Sequence, residues 1–200
     1  MKRFITLLAS LLFFASFYGF ADGPHQFQKD ENGEYFLDGD FDIPCNQGIA
    51  WKRLVNYVES YYNTDRAIIN VNDDAMEISV KGGKELISNL VNDSFNYRNK
   101  SYVHYNLQLR LDNNKVFYVF NNLIDEVSAH LSSIDDIEKK ESFKILFRDY
   151  EKDLKIINDP KSSKREIKAA KKDLQRFEPF LEVTQKALLN RIESIKLSLE

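Results

Sequence analysis

From residue 35 to 43 apolar and acidic positions alternate. Tyr35, Leu37, Phe41 and Ile43 share one parity and Asp38, Asp40 and Asp42 the other, which predicts a half-buried strand with a solvated acidic face. The rhythm then lengthens. Trp51, Leu54, Val55, Val58 and Tyr61 or Tyr62 recur at helical spacing, so a helix from about Gly48 to Tyr62 would bury that stripe. Ala67 to Val71 and Met76 to Val80 are apolar runs separated by Asn72-Asp73-Asp74, the signature of a hairpin. Val103, Tyr105, Leu107, Leu109 and Leu111 alternate strictly with Tyr102, His104, Asn106, Gln108 and Arg110. Asp112-Asn113-Asn114 offers residues that tolerate positive φ, and Val116 to Phe120 returns as a second hairpin. A short helix is expected near Leu123 to Leu131. The order implies an α+β fold, an antiparallel sheet with a helix packed on one face.

Beyond residue 132 the pattern is helical throughout and contains no glycine. Phe143, Phe147, Tyr150, Leu154 and Ile157 step by four and three, a coiled-coil-like seam. Asn158-Asp159-Pro160 ends that arm. Ser163 with Glu166 three residues on forms a capping box for the next. Ile167, Ala170, Leu174 and Phe177 edge the second arm, followed by Leu181, Thr184, Leu188, Ile192, Ile195 and Leu199. Pro179 either kinks this arm or opens a new helix at its first turn. As straight helices the arms, 138 to 158 and 163 to 199, span roughly 31 Å and roughly 55 Å. About 24 Å of apolar seam would then overhang. Pro179 folding it back, the sheet, or another molecule must cover it.

The N-terminus has its own pattern. Lys2 and Arg3 precede a nearly continuous apolar run from Phe4 to Phe20, and Gly19-Phe20-Ala21 ends it with small residues at alternate positions. This reads as a signal peptide over residues 1–21, with the mature chain starting near Asp22. The alternative is a retained anchor, since 17 residues reach roughly 26 Å. No cysteine stands at the cleavage point, so the product is no lipoprotein. It is periplasmic or secreted, with no stable membrane span after cleavage. The lone Cys45 is expected to be buried, a disulfide dimer being the other reading.

Charge sharpens the division into 22–131 and 132–200. The whole chain has 28 Lys+Arg against 31 Asp+Glu, a formal charge of −3. Residues 22–131 hold 17 acids and 10 bases, whereas 132–200 hold 14 acids and 16 bases. The shift suggests an α+β domain followed by a C-terminal helical hairpin module. An acidic balance argues against a nucleic-acid partner. One cysteine and three scattered histidines offer no metal cluster, and Gly82-Gly83 lacks the spacing of a phosphate or dinucleotide loop. No cofactor is implied.

Several of these features coincide in one known family. The acidic strand ending at Ile43-Pro44, the helix carrying Ile49-Ala50-Trp51, the turn Asn72-Asp73-Asp74 before Ile78, and the long hairpin from Tyr102 to Leu123 resemble the exported bacterial domain of unknown function 4468. The likeness covers roughly residues 32–125, and Ala75-Met76-Glu77 fills a place that is more glycine-rich in many members. It implies a TBP-like fold and an exported setting. It implies no reaction, and the fold label does not transfer DNA binding.

Candidate chemistry is modest. Tyr102, His104, Asn106, Gln108 and Arg110 form a row of donors and acceptors suited to a polar ligand or peptide, or to an ordinary wet sheet face. Lys164, Arg165, Lys168, Lys171, Lys172 and Arg176 crowd the second arm, a contact for an anionic surface or a solvated helix face. Asp38, Asp40 and Asp42 read as solvated strand charges that discourage edge pairing. The expectation is a non-enzymatic exported binding or assembly protein, with an unknown protein or envelope component as partner and a homo-oligomer through the C-terminal helices as one route to assembly. The alternatives are an envelope hydrolase using His104 with a nearby carboxylate, or an anionic-surface binder through Lys164 to Arg176.

Overall fold

The computed structural model describes residues 26–63, 67–87, 101–125 and 142–200, with the side chains of 101, 125, 142–146 and 176 left aside. The N-terminal segment 1–21, the boundary at 131/132, and residues 126–131 of the expected short helix lie outside the described residues.

Six strands form one antiparallel sheet: β1 (Gln28–Lys29), β2 (Tyr35–Asp42), β3 (Ile68–Asn72), β4 (Glu77–Ile87), β5 (Ser101–Asp112) and β6 (Lys115–Asp125), in the order β1-β2-β6-β5-β4-β3. Helix α1 (Gln47–Tyr62) follows β2, and α2 (Ser142–Asn158) and α3 (Lys164–Leu199) follow β6. This is the expected α+β architecture. One expectation fails: Leu123 to Asp125 continue β6 as strand instead of opening a helix. Asn122 adopts φ +50° there, and the resulting bulge returns Leu123 to the core side.

Local chemistry sets the elements. The Asn46 side chain caps α1 by accepting from the Gly48 N–H at 2.9 Å. Ala50, Trp51, Leu54, Val58 and Tyr62 then face the core, which assigns the buried tyrosine to Tyr62 and leaves Tyr61 at the rim. Asn113 and Asn114 both take positive φ, which fits a two-residue turn to the twist of the β5–β6 hairpin. The Ser163–Glu166 capping box starts α3: the Ser163 N–H donates to Glu166 Oε2 and the Glu166 N–H to Ser163 Oγ.

The second arm does not break at Pro179. A single helix of 36 residues, about 54 Å long, runs through it. An internal proline removes one hydrogen bond and crowds the preceding turn, at about 3 kcal/mol. Packing on both sides holds the helix across that defect. Ala170 and Leu174 are buried before Pro179, where α3 meets α2, and Leu181, Leu188, Ile192, Ile195 and Leu199 after it. The proline ring itself faces solvent. The overhanging seam lies on the sheet beside α1, so the chain covers its own apolar stripe. Sheet and helices share one hydrophobic core, on one face of the sheet.

Candidate functional site on the open sheet face

Because all three described helices pack on one face, the polar parity of the strands forms the other. Strand register arranges this face in rows. One row runs Asn70, Ser79, Gln108, Val119 and Asp38, and the next Asn72, Glu77, Arg110, Phe117 and Asp40. Between β3 and β6 these rows line a groove of about 310 Å³. Asn70, Asn72, Glu77 and Gln108 are exposed in it, whereas Ser79, Arg110, Phe117 and Val119 are half-buried. The Arg110 guanidinium lies over the Phe117 ring, 5.2 Å from its centroid.

The structure divides the predicted row on β5. Gln108 and Arg110 line the groove; Tyr102, His104 and Asn106 lie farther along the same face. Bulges separate the two parts. Strand β4 shifts register between Val80 and Gly83, and β6 shifts opposite the stretch from His104 to Asn106, so both neighbours of β5 bulge around Tyr105. Asn106 serves the first bulge by accepting from the Gly82 N–H at 3.3 Å. Tyr102 carries Lys84 over its ring, and the cross-strand neighbours of His104 are Lys84 and Ile124. The groove residues Asn70, Asn72, Glu77, Ser79, Phe117 and Val119 were not singled out as a site from sequence. Two-residue parity carried through both hairpins would have placed them beside Gln108 and Arg110.

The acidic strand is partly neutralised. Lys115 Nζ sits 2.6 Å from Asp40 and 4.0 Å from Asp42, and Asp40 raises its affinity for a proton. Asp38 accepts from Gln28 Nε2 at 2.7 Å, and partial burial lifts its pKa above the usual value, opposed by a backbone hydrogen bond. Lys164, Arg165, Lys168, Lys171 and Lys172 are exposed on α3, and the Arg176 side chain lies outside the described ones. Among the described residues there is no group of three or more metal-ligating side chains, and no helix is long and apolar enough to cross a membrane.

A connected polar cluster stands on the helix-covered face. Arg191 of α3 pairs with Glu85 of β4 and donates to the hydroxyls of Tyr57 and Tyr61. Its guanidinium lies 3.4 Å from the Tyr61 ring centroid. Tyr105 donates to Glu85 at 2.8 Å and shares a 2.8 Å hydrogen bond with Tyr62. Burial, followed by the nearby Tyr62 and Glu85, pushes the Tyr105 phenol far above its ordinary pKa near 10. Every member has a partner within the protein, and the cluster joins α1, β4, β5 and α3. Its role is to fix α3 on the sheet.

Compared with known proteins, the chain matches no family model and no curated protein. Solved structures do resemble it. A TBP-like protein from Parabacteroides distasonis superposes with a TM-score of 0.52 at 12% identity, covering 85% of this chain and 95% of that one. The fold is TBP-like. A DUF4468 family protein from Bacteroides ovatus aligns with a TM-score of 0.38 at 10% identity, over 74% of this chain and 91% of that one. Coverage of 85% exceeds the span 32–125, so the TBP-like likeness takes in part of the C-terminal helices as well as the sheet.

Proposed function

We propose that this is an exported, non-enzymatic binding protein of the bacterial envelope that holds a polar ligand on the open face of its sheet. The groove between β3 and β6 carries the reading. It gathers carboxamide, hydroxyl, carboxylate and guanidinium groups from β3, β4 and β5, with an apolar edge from β6, on a face that the described helices leave free. A rigid sheet positions such groups better than loops do. Polyphosphate is a poor fit, because Asp40 and Glu77 stand in the same row as Arg110, the single groove cation among the described residues, and Asp38 ends the neighbouring row.

Assembly through the helices is the weaker part of the earlier expectation, since the seam from Leu181 to Leu199 already packs within the chain. We therefore expect a monomer. The hydrolase reading takes no part, because the cross-strand neighbours of His104 are Lys84 and Ile124, neither of them a carboxylate. The exposed lysines of α3 act as a solvated helix face.

Two measurements test the proposal. Cell fractionation should place the chain outside the cytoplasm with residues 1–21 removed. Retention of an envelope fraction by the immobilised chain should be lost in Ser79→Trp, which fills the groove, and kept in Lys168→Glu. Equal retention by both variants would refute the groove as the binding surface.

A further inference from the structure

We propose that the ligand of the open face is a neutral oligosaccharide lying across strands β3 to β6, an inference that rests on that face being the binding surface. The groove residues sort by chemistry. Asn70, Ser79 and Gln108 make a neutral row in which each side chain both donates and accepts, and Asn70 Nδ2 lies 3.5 Å from Ser79 Oγ. In the next row Glu77 and Arg110 are cross-strand partners, so their opposite charges offset. At the β6 end, Phe117 and Val119 supply an apolar shelf.

A ligand matching this surface carries no net charge, both donates and accepts along its length, and has a small apolar face. Sugar rings have these properties: each hydroxyl donates and accepts, and the ring C–H groups form a weakly apolar side. Four strands span roughly 14 Å between their outer axes, so the groove suits several linked rings better than one.

Other ligand classes fit less well. A polyanion needs an excess of cations, and among the described residues Arg110 is the only cation lining the groove. A large apolar ligand needs an enclosed apolar cavity. An extended peptide is usually held by backbone pairing at a sheet edge. Here the groove lies on a face, where the backbone groups of β4 and β5 pair within the sheet and only side chains are on offer.

The test is calorimetric titration of the purified chain with cellohexaose, maltohexaose, xylohexaose and chitohexaose, beside hexagalacturonate and a mixed hexapeptide pool. At least one neutral hexasaccharide should bind, with affinity unchanged from low to high salt. Asn70→Ala and Gln108→Ala should each weaken binding about tenfold with the thermal midpoint unchanged, as for one or two lost hydrogen bonds. Neutral-sugar binding that survives both variants would overturn the placement in the groove. Binding confined to hexagalacturonate or peptides would overturn the sugar assignment, as would no binding by any probe. If envelope retention stays sensitive to Ser79→Trp in those cases, the open face remains the binding surface and only the ligand class falls. If that sensitivity is absent too, both readings fall.

Discussion

The guanidinium of Arg191 closes a two-point pair on the carboxylate of Glu85, with Nε to Oε1 at 2.6 Å and Nη2 to Oε2 at 2.9 Å. Their side chains are 12% and 11% exposed, so the pair lies largely out of water. Removing one partner of such a pair strands the other charge and costs about 3 to 5 kcal/mol. Arg191→Met should destabilise the chain by that order in urea unfolding. Adding Glu85→Gln should recover part of the loss, because the stranded charge goes with it. A single variant as stable as wild type would show that α3 is not locked here.

The same cluster predicts behaviour in alkali. Burial lifts Tyr105 and Tyr62 above the ordinary phenol pKa near 10, and Tyr35 is raised by burial and by donating to Glu151. A raised folded-state pKa means that the native chain keeps protons that the unfolded chain releases. This stability is complete below pH about 10 and declines as pH rises past it. Ultraviolet titration should show some tyrosines ionising near pH 10 and a second group ionising only with unfolding. One smooth step with native circular dichroism retained would contradict the burial.

Two glycines lie under tyrosine rings, and they should not respond alike. A Cβ on Gly83 would lie 2.4 Å from the Tyr105 ring, whose hydroxyl is held by Tyr62 and Glu85. A Cβ on Gly39 would meet the far end of Tyr118, also at 2.4 Å. The pinned ring has less room to yield. Gly83→Ala should therefore cost about 2 to 3 kcal/mol, within the range for overpacked cores, and Gly39→Ala clearly less. Chemical denaturation of both variants gives the ranking, and equal losses would remove the argument from the hydroxyl network.

Much of this arrangement was legible in the sequence because it rests on period and caps. Strict alternation placed Val103 to Leu111 in the core and Tyr102 to Arg110 on the far face, and Ser163 with Glu166 marked the start of α3. Glu85 was not legible. Plain alternation from Ile78 and Val80 sends it to the open face, and only the bulge around Gly82, at φ +78°, turns it toward Arg191. The course of α3 was hidden for a related reason. Pro179 is a local break signal, and the burial that outweighs it comes from strands and helices far away in sequence. The groove was half visible, since register across four strands, rather than any one strand, brings Asn70 and Phe117 to the same surface.

Thr184 offers a stabilising change. It is fully buried in α3, and its hydroxyl has no hydrogen-bond partner among the described residues. Thr184→Val keeps the shape and removes the unmet polar atom, so it should raise stability by about 1 kcal/mol. A drop in the thermal midpoint would show that the hydroxyl is satisfied in solution.

Binding on the open sheet face would shield the groove between β3 and β6. Hydroxyl-radical footprinting of the chain, with and without an envelope fraction, tests it most directly. Protection should concentrate at Phe117 and Val119, while Leu197 at the far end of α3 and the stretch from Lys164 to Lys172 react as before. Protection of the α3 stretch with Phe117 unchanged would contradict the account and move the binding surface to the helices.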